Sequence, residues 1–299
     1  MTRTNWTRSL AGIACTAATA ATLFAGLLAP LVARADANPA SATGPSFSSI
    51  GSDTTSFSAV AGGVSTTTAA QPAGLGRWQV AATPRVAAHI YQYDGSQATS
   101  TDAAAAAATW DAALSDVLTT LGAPAGTRLN PIDGYLYPDS QSFMLKTGDT
   151  RAIEGVALIS KGEFHVINRA DANVTIHHEL THLVAAQLNG KAGTTALDEG
   201  LAVAVAGWST SDLNLQAASL QASGNLVTIT SLLNDFQSQP GAISYPEVGS
   251  FVRYLLTQGD LATFTQMYQS SNPASSAPAL YGRSIDTLEM QWRSSLATL

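Results

Sequence analysis

Two imidazoles and a carboxylate set inside an apolar helical register constrain this 299-residue chain more than any other feature. From Ile176 it reads IHHELTHLV, and Val174, Leu180, Leu183, Val184 and Leu188 recur at the spacing of a buried helix that Asn189-Gly190 ends. Residues four apart share a helix face, so His178 and His182 aim two ring nitrogens at one point, as a Zn²⁺ ion requires. Glu179 projects about 100° around the axis from His178, beside the ion, where a carboxylate takes a proton from water. With 5 histidines in the chain, chance supplies roughly 0.002 His-Glu-x-x-His patterns. A pair of core histidines is the plain alternative, and the helical context argues against it.

A zinc ion that does chemistry needs a third protein ligand and an open position. Downstream of His182 comes Leu197-Asp198-Glu199-Gly200-Leu201-Ala202, opening a second apolar helical run that ends near Gly207. A turn around Gly190 to Gly193 folds this helix back on the first and brings an early-turn carboxylate to the metal. Glu199 is the expected ligand. A solvated or helix-capping acid is the alternative.

HHELTH followed by LDEGLA is similar to the gluzincin group of zinc metallopeptidases, in particular the peptidase MA-like families, whose third ligand is the glutamate of a similar EGLA segment. The likeness runs on through a helix ending in Leu121-Gly122, the strand-like Tyr135-Leu136-Tyr137, a hairpin before the metal helix, and the tail segments SYPEVGSFVRYLL and LEMQWRSSL. It implies zinc as cofactor, peptide or protein as substrate, and Glu179 as the base. Some gluzincins carry an aspartate four residues after the ligand glutamate as partner to a histidine. Here that position is Val203, with Asp198 as a candidate substitute. Peptide hydrolysis also needs a donor for the developing oxyanion. The resemblance allows Tyr245, ahead of a helix, in that role, with Tyr254 and Tyr281 as rivals. His177 lies about 100° from His178 and cannot replace either ligand without turning the helix. His89 and His165 fall in strand-like stretches, where a structural role is expected.

Strands precede helices along the chain. Val86 to Tyr91 and Gly134 to Tyr137 read as strands, and Gly155 to Ile159 with Glu163 to Asn168 as a hairpin. Trp110, Leu114, Val117, Leu118 and Leu121 mark a helix between the first two strands. After Asp171 the pattern stays helical, with later helices marked by Val248 to Leu256, Leu261 to Tyr268 and Ile285 to Leu296. The expectation is an α+β fold: a small N-terminal mixed sheet with an edge hairpin packed on the metal helix, then a mostly helical C-terminal half.

Arg3 and Arg8 precede an apolar run from Leu10 to Val32, followed by the small-x-small pattern Ala33-Arg34-Ala35. Residues 1–35 therefore read as a signal peptide, and the product as secreted or extracytoplasmic. Left uncleaved, the run is long enough to anchor the chain at the cell surface. Residues 36–76 are a low-complexity Ser/Thr/Ala/Gly linker, and 77–299 form the zinc metallopeptidase-like domain. The only cysteine, Cys15, lies in the signal segment, so the domain holds itself together without disulfides. With 14 basic against 21 acidic residues and no basic cluster, the chain lacks the charge pattern for nucleic acid or for a membrane beyond the signal segment. Two other functions stay open at this point: a zinc-bearing binding module without turnover, and a zinc amidase acting on cell-wall polymer.

Overall fold

The computed structural model describes residues 65–69, 77–92, 100–150, 153–169, 171–206 and 210–298. The expected signal segment and most of the expected linker lie outside the described residues. Among the described residues, six strands form one mixed sheet: β1 (Ser65–Ala69), β2 (Arg77–Ala82), β3 (Val86–Gln92), β4 (Ile132–Tyr137), β5 (Gly155–Leu158) and β6 (Glu163–Ile167), in the spatial order β1-β2-β3-β4-β6-β5. β3, β4 and β6 run parallel, while β1, β2 and β5 pair antiparallel with their neighbours. β1 falls inside the stretch read as linker. It pairs with β2 through its backbone, which a count of large apolar residues does not detect.

Helix α1 (Ser100–Thr120) makes the crossover between β3 and β4. Ala103, Ala107, Trp110, Leu114 and Val117 recur every three or four residues and are buried against the sheet, where Trp110 meets Phe164 of β6 edge to face at 5.1 Å. The opposite face is partly covered by α2 (Ser140–Thr147), capped by Asp139 and anchored by Phe143 among Tyr91, Tyr137 and Ile167.

The helix that carries His178, Glu179 and His182 is α3 (Ala172–Asn189). Ile176, Leu180, Leu183 and Val184 are buried, and the helix packs on α1, β5 and β6. A short turn leads to α4 (Thr195–Val205), whose N-cap Thr194 accepts the Leu197 N–H. The remaining described elements are helices: α5 (Thr210–Ala222), α6 (Ile229–Asn234), α7 (Gly241–Gln258), α8 (Leu261–Gln269), α9 (Pro273–Tyr281) and α10 (Ile285–Leu296). α4 and α7 cross at close range. A Cβ on Gly200 would lie 2.7 Å from Val252 Cγ2, and one on Gly249 would lie 2.4 Å from Val203 Cγ1. The architecture is therefore α+β with a mostly helical C-terminal half, as the order of patterns along the chain implied.

Candidate functional site

His178 and His182 sit one turn apart on α3 and face α4, while their apolar neighbours fill the core. The α3–α4 turn reverses the chain and sets Glu199 opposite them. Glu199 Oε2 lies 3.1 Å from His178 Nε2 and 3.6 Å from His182 Nε2, and the two Nε2 atoms are 3.1 Å apart. A tetrahedral zinc with donors at about 2.0–2.1 Å requires neighbouring donors about 3.3–3.4 Å apart. The three separations bracket that spacing, so the residues fit a zinc ion.

The charges agree with the spacing. Burial alone would raise the Glu199 carboxyl, but hydrogen bonds from His178 and His182 outweigh it and bring the pKa down to about 2. Burial alone would lower His182, but the Asp198 and Glu199 carboxylates outweigh it and raise its pKa to about 10. The pocket thus favours positive charge at His182, a preference that a dication would meet once the imidazole had lost its proton.

Glu179 is 6% exposed and sits between α3 and β5. The Ala157 N–H donates to its carboxylate, and burial, exceeding the pull of both histidines, pushes its pKa up. A Cβ on Gly155 would lie 2.8 Å from Glu179 Oε1 and 2.6 Å from Thr175 Cγ2, so only glycine lets β5 seat this close.

The family model described as the Peptidase MA superfamily matches residues 113–298, which is more than half of the chain and includes every residue of this site. The chain belongs to the Peptidase MA superfamily. Membership in it brings a metallopeptidase-like function, general metal dependence, and peptide or protein substrates. No curated protein and no solved structure matches the chain in comparison.

Beyond the three converging atoms, this Peptidase MA chain arranges its other expected residues unevenly. Asp198 and Glu199 both reach His182, on opposite ring nitrogens. Asp198 Oδ1 stands 3.3 Å from His182 Nδ1, while Glu199 faces Nε2. Val203 faces α7 against Gly249 rather than the histidines, so Asp198 occupies the partner position that Val203 leaves open.

Tyr245 lies within α7 rather than ahead of it, because that helix starts at Gly241 and carries Pro246 inside it. Its ring centroid is 6.2 Å from that of His178 and 5.2 Å from that of Phe236. Its two rivals lie elsewhere: Tyr254 donates to Gln291 Oε1 at 3.2 Å, and the Tyr281 ring packs by Gly259.

The remaining histidines are held by structural contacts. His177 Nδ1 pairs with the Asn173 carbonyl at 2.8 Å. His89 pairs with Asp133 at 2.9 Å, and His165 Nδ1 with the Tyr137 hydroxyl at 2.7 Å. Burial first, then the nearby cations, lowers the His165 pKa to about 4 and keeps it neutral. Sequence reasoning missed the β5 backbone contact to Glu179, and it missed Tyr268, whose hydroxyl donates to Asp198 Oδ1 at 2.7 Å. Tyr268 is 70 positions away in sequence and carries no local signal.

Proposed function

We propose that this chain is an exported zinc-dependent metallopeptidase that hydrolyses peptide bonds, with His178, His182 and Glu199 as ligands and Glu179 as general base. The observation that carries the reading is the convergence of two Nε2 atoms and one carboxylate oxygen at zinc spacing, with a buried, β5-anchored carboxylate beside them. A bound zinc would supply a water acidified to a pKa of about 7 and a Lewis acid for the scissile carbonyl.

Glu179 accepts the proton of the attacking water and hands it to the departing amine. Burial raises its pKa, which makes it a stronger base than an exposed carboxylate, as a group that takes and then returns a proton requires. β5 is the outermost strand at its end of the sheet. An extended peptide pairs its backbone along such an edge, which holds the scissile bond close to Glu179.

Tyr245 is the proposed donor to the carbonyl oxygen as it gains charge. Loss of one such donor lowers kcat by about 10²-fold or more. Tyr245→Phe is expected to show that fall with zinc content and fold intact. Unchanged kcat would remove Tyr245 from the mechanism.

Export rests on residues 1–35, and among the described residues no helix is long and apolar enough to cross a membrane. One preparation tests the whole reading. Protein recovered from culture medium is expected to begin near Asp36 or Asn38, to cleave a protein library, to lose that activity with a chelator and to regain it with zinc. A membrane-held product retaining Met1 would reject cleavage. Cleavage that survives the chelator would reject the zinc mechanism, and activity on wall polymer alone would make the chain an amidase.

A further inference from the structure

The start of α4, with Asp198 in its first turn and Glu199 next along the helix, is gripped from outside the α3–α4 pair. α8 ends beside it. The carbonyl of Tyr268 accepts the N–H of Gly193 in the α3–α4 turn at 2.7 Å. On the other side of the same residue, the hydroxyl donates to Asp198 Oδ1, also at 2.7 Å. Gly193 approaches the chain after α8 so closely that a Cβ on it would fall 1.8 Å from the Ser270 carbonyl oxygen, a clash that no backbone adjustment of ordinary size relieves. The Gln269 side-chain amide closes the contact by donating to the carbonyl of Asn189, the last residue of α3.

Tyr268 is 1% exposed, whereas the Asp198 side chain is 25% exposed. A carboxylate with that access to water, in the first turn of a helix, has competing places to go: solvent, or the free N–H groups of the turn. The buried phenol removes that choice by holding Oδ1, the oxygen that faces His182 Nδ1.

We propose that Tyr268 is a positioning residue for the metal centre: by fixing Asp198 Oδ1 it keeps the proton of His182 on Nδ1 and the Nε2 lone pair directed at the ion. This rests on the zinc-centre reading above. Tyr268 bonds to Asp198 rather than to His178, His182 or Glu199, and its effect passes through Asp198. Outer partners of metal-ligating histidines typically change metal affinity by about 10 to 100-fold, and Tyr268, one step further out, belongs at the lower end.

The test is a double-mutant cycle on zinc affinity, measured on the mature chain by competition with a fluorescent zinc chelator, with no activity assay involved. Tyr268→Phe keeps the buried ring and removes only the hydroxyl. It is expected to weaken zinc binding about tenfold in the parent chain and by less than about twofold when Asp198→Ala is already present. Equal losses in both backgrounds would assign Tyr268 a general packing role, and no loss in the parent would remove it from the centre. Either result overturns the proposal while leaving the zinc centre standing. A parent chain that binds no zinc overturns the centre and the proposal together. Asp198→Asn gives a second reading should Tyr268→Phe fold poorly. It keeps an oxygen for the phenol but loses the carboxylate charge: a loss of about tenfold or more in zinc affinity supports the route through Asp198, and unchanged affinity overturns the proposal.

Discussion

Glu179→Gln is expected to keep its zinc and lose hydrolysis by about two to four orders of magnitude. The substitution preserves the size of the side chain, and an amide oxygen still accepts the Ala157 N–H that anchors the carboxylate. What disappears is the proton acceptor. His178, His182 and Glu199 stay at their spacing of 3.1 to 3.6 Å, since none of them depends on Glu179 for a hydrogen bond. Metal content measured after gel filtration should therefore match the parent chain. His182→Ala is the matching control, because it removes a ligand atom and is expected to lose metal and turnover together. Near-parental turnover in Glu179→Gln protein would sink the mechanism, whatever its zinc content.

Legibility in the sequence follows how local the determining contacts are. Helix α3 and its paired histidines were readable because both the ligand spacing and the apolar stripe lie within one helix. β3, β4 and the β5–β6 hairpin were readable from short apolar runs and the turn at Lys161-Gly162. β1 escaped because an edge strand of serine and threonine is stabilised by backbone pairing with β2, to which composition is blind. α2 escaped for a related reason. Only Phe143 and Ser142 of its eight residues are buried, so it shows no stripe, and its signal is the Asp139 cap. α9 begins on Pro273 and contains Pro278, both of which read as breaks. The start of α7 was displaced by the same residue type, since Pro246 inside a helix hid Tyr245 within it. Asp198 could be named from sequence as a substitute for the missing acid at Val203, but not the nitrogen it would face. Two adjacent acids differ by about 100° around the axis, and that turn sends them to opposite edges of one imidazole.

Glu199→Ala should yield largely apo protein, and Asp198→Ala a zinc-bearing protein with affinity or activity reduced about 10 to 100-fold. The contrast follows from which edge of His182 each acid meets. Glu199 Oε2 stands near both Nε2 atoms, where the ion would sit, and no other carboxylate oxygen in the cluster of ligating groups can replace it. Removing it leaves two imidazoles to hold a dication and takes away the charge that offsets it. Asp198 Oδ1 meets Nδ1, the side turned away from the ion. Its side chain is 25% exposed, so after truncation water reaches Nδ1 and replaces part of the hydrogen bond. Neither residue is the cap of α4, which is Thr194, so both variants should fold. Titration with a zinc chelator ranks the two directly: the opposite order would make Asp198 the ligand and move the ion to the Nδ1 side of His182.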